Sequence, residues 1–149
     1  MRRGPGTGHT LQVAAGRRLF SVMIQIPVSL GELTDRLTIL TLKCRHLQGE
    51  ALQHAQQEQS LLLEVFTPLA TRIPEALHQE LASINGELWQ LEDGVRECER
   101  RGDFGSSFVA MARRIYGLND QRAALKRAIS IASGSALIDE KSHGAAAGS

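Results

Sequence analysis

Aromatic residues are scarce, with four Phe, one Trp and one Tyr in 149 positions. That is too thin for the stacking platforms on which single-stranded nucleic acid binds. Neither sign of charge is in excess, because 17 Lys+Arg face 16 Asp+Glu. No basic field therefore exists to draw a phosphate backbone, and no nucleic-acid partner is expected. No apolar run approaches about 18 residues, so the sequence predicts no membrane span. Cysteine is limited to Cys44 and Cys98, which cannot make a disulfide framework and lack C-x-x-C spacing. Both fall at apolar helical positions and are read as small buried hydrophobes in a reducing cytoplasm. No glycine loop follows a strand to cradle phosphate, and no Ser or Cys is placed near a His for nucleophilic catalysis. No cofactor and no metal are expected. Glu75 and His78 make a lone Glu-x-x-His where di-iron bundles carry two. His46, Glu50 and His54 step by four, but in a polar stretch broken by Gly49.

What is present is enough apolar residue for one packed domain, 42% against 22% charged. The charge is unevenly spread. Residues 1–23 hold Arg2, Arg3, Arg17 and Arg18 and no acid, so residues 24–149 sum to −3. This Gly-rich leader is open to three readings: a targeting peptide, a basic arm, or sequence upstream of a working start at Met23. The last is favoured because Met23 immediately precedes the first ordered signal. The expected organisation is a flexible basic extension over 1–22, a single helical domain over 23–138 and a disordered tail over 139–149.

After an alternating lead-in, IQIPV (24–28), Ser29 and Glu32 form a capping box that starts a helix at Leu30. Its apolar positions Leu30, Leu33, Leu37, Leu40, Cys44 and Leu47 are spaced as a heptad seam. Ile39 and Leu42 add a second stripe, and a helix apolar on two faces belongs between neighbours. Gly49 interrupts, and a second helix is expected over 50–66, ended by Pro68. The seam is strongest over 74–101, where Leu77, Leu81, Ile84, Leu88, Leu91, Val95 and Cys98 alternate steps of four and three. Arg100 and Arg101 before Gly102 mark its end. A last long helix over 106–132 stops near Gly134. The four-residue connection makes these two helices antiparallel neighbours. The former carries seven acids and three bases and the latter five bases and one acid, so opposite fields favour the hairpin. The predicted fold is all-α: a long antiparallel helical hairpin with the capped first helix packed along it, a small helical bundle.

The last helix holds an anomaly. Asn119, Arg122 and Lys126 fall on the face shared by Phe108, Ala112 and Ile115, where an unpaired buried charge costs several kcal/mol. Hairpin register sets Arg122 level with Asn85, and Asn119 level with Leu88 and Trp89. Asp35 interrupts the second stripe of the first helix. The expected polar cluster is therefore Asp35, Asn85, Glu92, Asn119, Arg122 and Lys126, flanked by Arg96, with Trp89 and Tyr116 on its margin. Three readings compete: carboxylates neutralise the bases in a structural network, an Arg fork and a Lys hold a small anionic ligand, or the face meets a second subunit.

The motifs IPVSLGELTDRLTILTLK (26–43), INGELWQLEDGVRECE (84–99), IYGLNDQRAALKRAI (115–129) and GSALIDEKS (134–142) resemble a family of short helical bacterial proteins of unknown function. The family's motif positions match Glu32, Asp35, Thr38 and Lys43, then Asn85, Trp89, Glu92, Asp93 and Arg96, then Tyr116, Asn119, Asp120, Arg122 and Lys126. The chain departs at Gly86, Gly94 and Gly117, where helix formers are expected. The resemblance implies a fold and a set of positions, not a reaction.

The functional expectation is a cytoplasmic, non-catalytic interaction or assembly module, with a homo-oligomer or another protein as partner. The alternative is an anion site between helices, enzymatic in the manner of helical chorismate mutases, with Arg122, Lys126 and Arg96 or Lys43 converging on a dianion.

Overall fold

The computed structural model describes residues 22–141. Residues 22–29 lead without regular secondary structure into α1 (Leu30–His46), followed by α2 (Gly49–Phe66), a 3-10 turn (Thr67–Arg72), α3 (Glu75–Arg101) and α4 (Ser106–Ser133). Among the described residues there is no strand, and no helix is long and apolar enough to cross a membrane. The leader over 1–21 and the tail from 142 lie outside the described residues.

The punctuation operates where the sequence places it. Ser29 caps α1 by accepting from the Glu32 amide at 3.0 Å. Gly102 and Gly134 end α3 and α4 in left-handed conformations with φ +65° and +72°, which a residue with a Cβ adopts only at a cost. Gly49, at φ +62°, turns the chain between α1 and α2.

α3 and α4 form the antiparallel hairpin, and α1 packs against α2, α3 and α4. The two-faced apolar pattern of α1 is thus explained: it lies between the hairpin and α2. Leu33, Leu37, Leu81, Ile84, Leu88, Leu118, Leu125 and Ile129 form the core, closed at one end by Phe66 and Ile73. The charge complementarity of the hairpin is only partly realised between its own helices. Arg114 forks onto Glu87 across it, at 2.7 and 3.0 Å, but Arg122 and Lys126 reach past α3 to α1.

The start of α1 is driven into α4. The Gly31 amide donates to Ser130 Oγ at 2.9 Å and the Leu30 amide to Ser135 Oγ at 3.1 Å. With Glu32 and Leu33 bonded to Ser29, all four amides of the first turn are satisfied, a requirement for burying a helix end. Ser29 in turn donates to Asp139 Oδ2 at 2.6 Å, and Ser130 does so at 3.2 Å. The part of the expected tail that is described, 139–141, therefore folds back: Asp139 is held by two serines and Lys141 pairs with Asp120.

The three glycines that depart from the family pattern differ in their surroundings. A Cβ on Gly86 or Gly117 meets nothing within 4 Å, whereas one on Gly94 lies 2.7 Å from Met111 Sδ. Gly86→Ala and Gly117→Ala are each expected to stabilise the chain by about 0.5–1 kcal/mol, through helix propensity and a less flexible unfolded state. Thermal unfolding checks this as a rise of a few degrees per substitution.

Candidate functional site

The cluster forms because α1 carries acids to the face of α4 that carries bases. Asp35, 2% exposed, receives a bidentate fork from Arg122: Nε to Oδ1 at 2.8 Å and a terminal nitrogen to Oδ2 at 2.6 Å. Asn85 Nδ2 donates to the same Oδ1 at 2.9 Å and to Thr38 Oγ1 at 2.7 Å. Thr38 in turn donates to the Asp35 carbonyl at 2.7 Å. α1, α3 and α4 are therefore tied at one point. One turn along α4, Lys126 donates to Glu32 Oε2 at 2.5 Å and lies 3.7 Å from Asp139.

Burial pushes the Asp35 carboxyl up, but the hydrogen bonds from Arg122 and Asn85 and the charges of Arg122 and Lys126 outweigh it and hold it below its ordinary value. Arg122 is raised, first by its hydrogen bond to Asp35 and against its own burial. The pair is thus fully ionised at neutral pH.

Of the residues expected in the cluster, Asp35, Asn85 and Arg122 meet directly. Lys126 joins through Glu32 rather than through Asp35 or Glu92. Asn119, Glu92, Arg96 and Trp89 do not enter that network. They line an adjoining cleft of about 260 Å³, which Asn85 and Arg122 also border. Glu92 and Arg96 face one another at 3.5 Å, and Trp89 stacks on His46 with ring centres 4.9 Å apart. Tyr116 is 69% exposed, away from both. Lys43 is exposed, while Arg96 borders the same cleft as Arg122, and Arg122 and Lys126 border another of about 610 Å³.

His46 is taken up by Trp89, and His54 lies 3.8 Å from Glu50. His78 sits edge-on to Phe66. Among the described residues no three His, Cys, Asp or Glu side chains gather as a metal site.

The cluster reading missed Glu32, Asp139 and Ser130. In the sequence Glu32 reads as the capping-box partner and as a family motif position, with no signal that ties it to Lys126. Its amide does bond Ser29, but its carboxylate is turned to Lys126, with Arg36 at 3.9 Å. Ser130 is 0% exposed within an apolar stripe. A small polar residue at a core position is the available signal that another backbone approaches there.

A family model described as a family of unknown function, DUF6165, matches residues 24–148. This agrees with the motif resemblance over 24–142. No curated protein and no solved structure matches the chain.

Proposed function

The chain belongs to this family of unknown function, and from that premise we propose that it is a non-catalytic interaction module that assembles with a second copy of itself. The observation that carries the reading is an apolar surface left open beside a fully neutralised polar interior. Ile24 and Ile26 are 80% and 64% exposed on the segment that leads into α1, and Val65 is 57% exposed on α2. With Val28 and Leu61 they border a groove of about 520 Å³. Neighbouring exposed apolar side chains of this kind mark association surfaces. The rim favours a like partner, because it carries both signs, Glu64 and Arg36, while Glu32 is engaged by Lys126. Two copies related by a twofold axis can set each acid against the other's base.

The polar cluster supports the same reading from the other side. Arg122 and Lys126, the bases that suggested chemistry, each have a carboxylate partner within the chain. They fix helix register in the way buried polar groups do in helical bundles. Cys44 and Cys98 are free thiols, which suits a reducing compartment such as the cytoplasm.

Light scattering across a concentration series tests the assembly. The chain is expected to pass from one to two copies as concentration rises. The double variant Ile26→Asp, Val65→Asp is expected to weaken this at least ~30-fold, because burial of each side chain contributes roughly 1.5–3 kcal/mol. Its circular dichroism is expected to be unchanged. A chain that stays monomeric throughout, or a variant that dimerises equally well, overturns the proposal.

A further inference from the structure

We infer that the cleft bounded by Trp89, Asp93, Asn119 and Arg122 binds a small zwitterion of the α-amino-acid type with an apolar side chain. The site stands apart from the assembly groove, with which it shares no residue.

An unpaired carboxylate and the unused donor edge of a neutralised guanidinium face this cleft. Arg122 engages Asp35 through Nε and one terminal nitrogen only. Its other terminal nitrogen makes no hydrogen bond among the described residues, and the side chain is 30% exposed. On the opposite wall, Glu92 and Arg96 satisfy one another. Asp93, one residue on, has no ion-pair or hydrogen-bond partner among the described residues. Asn119 lies one turn before Arg122 on α4, and its amide is likewise without a partner among the described residues. Residues three and four apart share a helix face, so α3 presents Trp89 and Asp93 to the cleft while α4 presents Asn119 and Arg122.

This arrangement selects a ligand by its charge. A plain anion meets the repulsion of Asp93, and a plain cation leaves the free Arg122 and Asn119 donors without an acceptor. A molecule with both charges a few ångströms apart satisfies each. Its carboxylate is held by the outer edge of Arg122 and the Asn119 amide, and its ammonium by Asp93. Ile39 and Leu42 from α1 and Leu88 and Trp89 from α3 supply apolar wall, beside Asn85 and the mutually paired Glu92 and Arg96. At about 260 Å³ the cleft is smaller than the range of roughly 300–1,000 Å³ occupied by drug-sized ligands. It is matched to one amino acid rather than to a peptide or a nucleotide. The Arg122–Asp35 pair serves here as a positioning device: Asp35 fixes the guanidinium so that its free edge is presented without further ordering.

Trp89 is the chain's one tryptophan, so its fluorescence reports on this wall alone. The full chain is titrated with L-valine, L-leucine, L-isoleucine and L-methionine. Each is compared with its N-acetyl derivative, which lacks the ammonium, and its amide, which lacks the carboxylate. At least one free amino acid is expected to give a saturable change with a Kd of about 1 mM or tighter. Both of its derivatives are expected to bind at least tenfold more weakly. Asp93→Asn and Asn119→Ala, neither of which removes a bond from the fold, are each expected to weaken binding about tenfold with unchanged circular dichroism. The inference is overturned by the absence of saturable change with all four amino acids. It is equally overturned by derivatives that bind as well as the parent, or by Asp93→Asn without effect. Light scattering on the same samples reads assembly separately, so failure of one proposal leaves the other standing.

Discussion

Replacing Gly31 with alanine is expected to destabilise the chain by about 3 kcal/mol or more, at the upper end of what overpacking costs. A Cβ at this position lies 2.1 Å from the Lys126 carbonyl oxygen, 2.7 Å from its carbon and 2.7 Å from Ser130 Oγ. Two of these atoms are backbone within α4 and have no rotamer by which to yield. The helices must separate instead. Separation stretches the Gly31 amide bond to Ser130 and moves Glu32 away from Lys126. Buried amides of the first turn then lose their partners, which adds to the steric cost. Thermal unfolding is expected to show a fall in Tm on the order of 10 °C. Gly117→Ala, on α4 itself but facing open space, is the control. A Gly31→Ala variant as stable as the parent sinks this account of how α1 and α4 are joined.

Arg122→Ala is expected to cost about 3 kcal/mol, because it leaves the buried Asp35 carboxylate without its counter-charge. Asp35→Asn is expected to cost less. Asp35 is 2% exposed, whereas the Arg122 side chain is 30% exposed and can turn an abandoned guanidinium towards water. The asymmetry itself is the test. Chemical denaturation of the two single variants and the double variant should yield a coupling of about 2 kcal/mol. A base held only for a ligand would show neither the loss nor the coupling. The pair also fixes the acid limit of stability. The folded-state pKa of Asp35 lies below its ordinary value, so the unfolded chain takes up the proton first. The contribution is fully present above the ordinary carboxylate pKa of about 3.9 and is lost as pH falls through the folded-state value. Stability measured from pH 6 downward should therefore fall less steeply in Asp35→Asn than in the parent.

The helices were legible because their determinants are local. Ser29, Gly102 and Gly134 terminate elements through their own backbone and side-chain chemistry, and the seam from Leu77 to Cys98 repeats at a period only a helix satisfies. The α3–α4 pairing followed from a short connection, and the register that set Arg122 beside Asn85 is consistent with both side chains meeting at Asp35. The site was legible only in part. Asp35, Asn85 and Arg122 were identifiable as polar residues on apolar stripes, since a buried charge demands a partner. Which partner each finds was not. Lys126 passes over the acids of α3 for Glu32, and Asp139 returns from beyond the end of α4 to Ser29.

The sequence by itself thus determined the all-α class, the helix limits, the hairpin and the existence of charges that need explanation. Only the tertiary structure decided that α1 lies close enough to α4 for Gly31 to touch its backbone. It also decided that the carboxylates of α1 neutralise the bases of α4, and that Asp93 and the outer edge of Arg122 are left facing one cleft. The division has a physical basis. Helix formation and capping depend on neighbours within about four residues, which a sequence displays directly. The Asp35–Arg122 and Gly31–Ser130 contacts span 87 and 99 residues. They are fixed by how three apolar faces pack at once, and no short stretch of the chain encodes that alone.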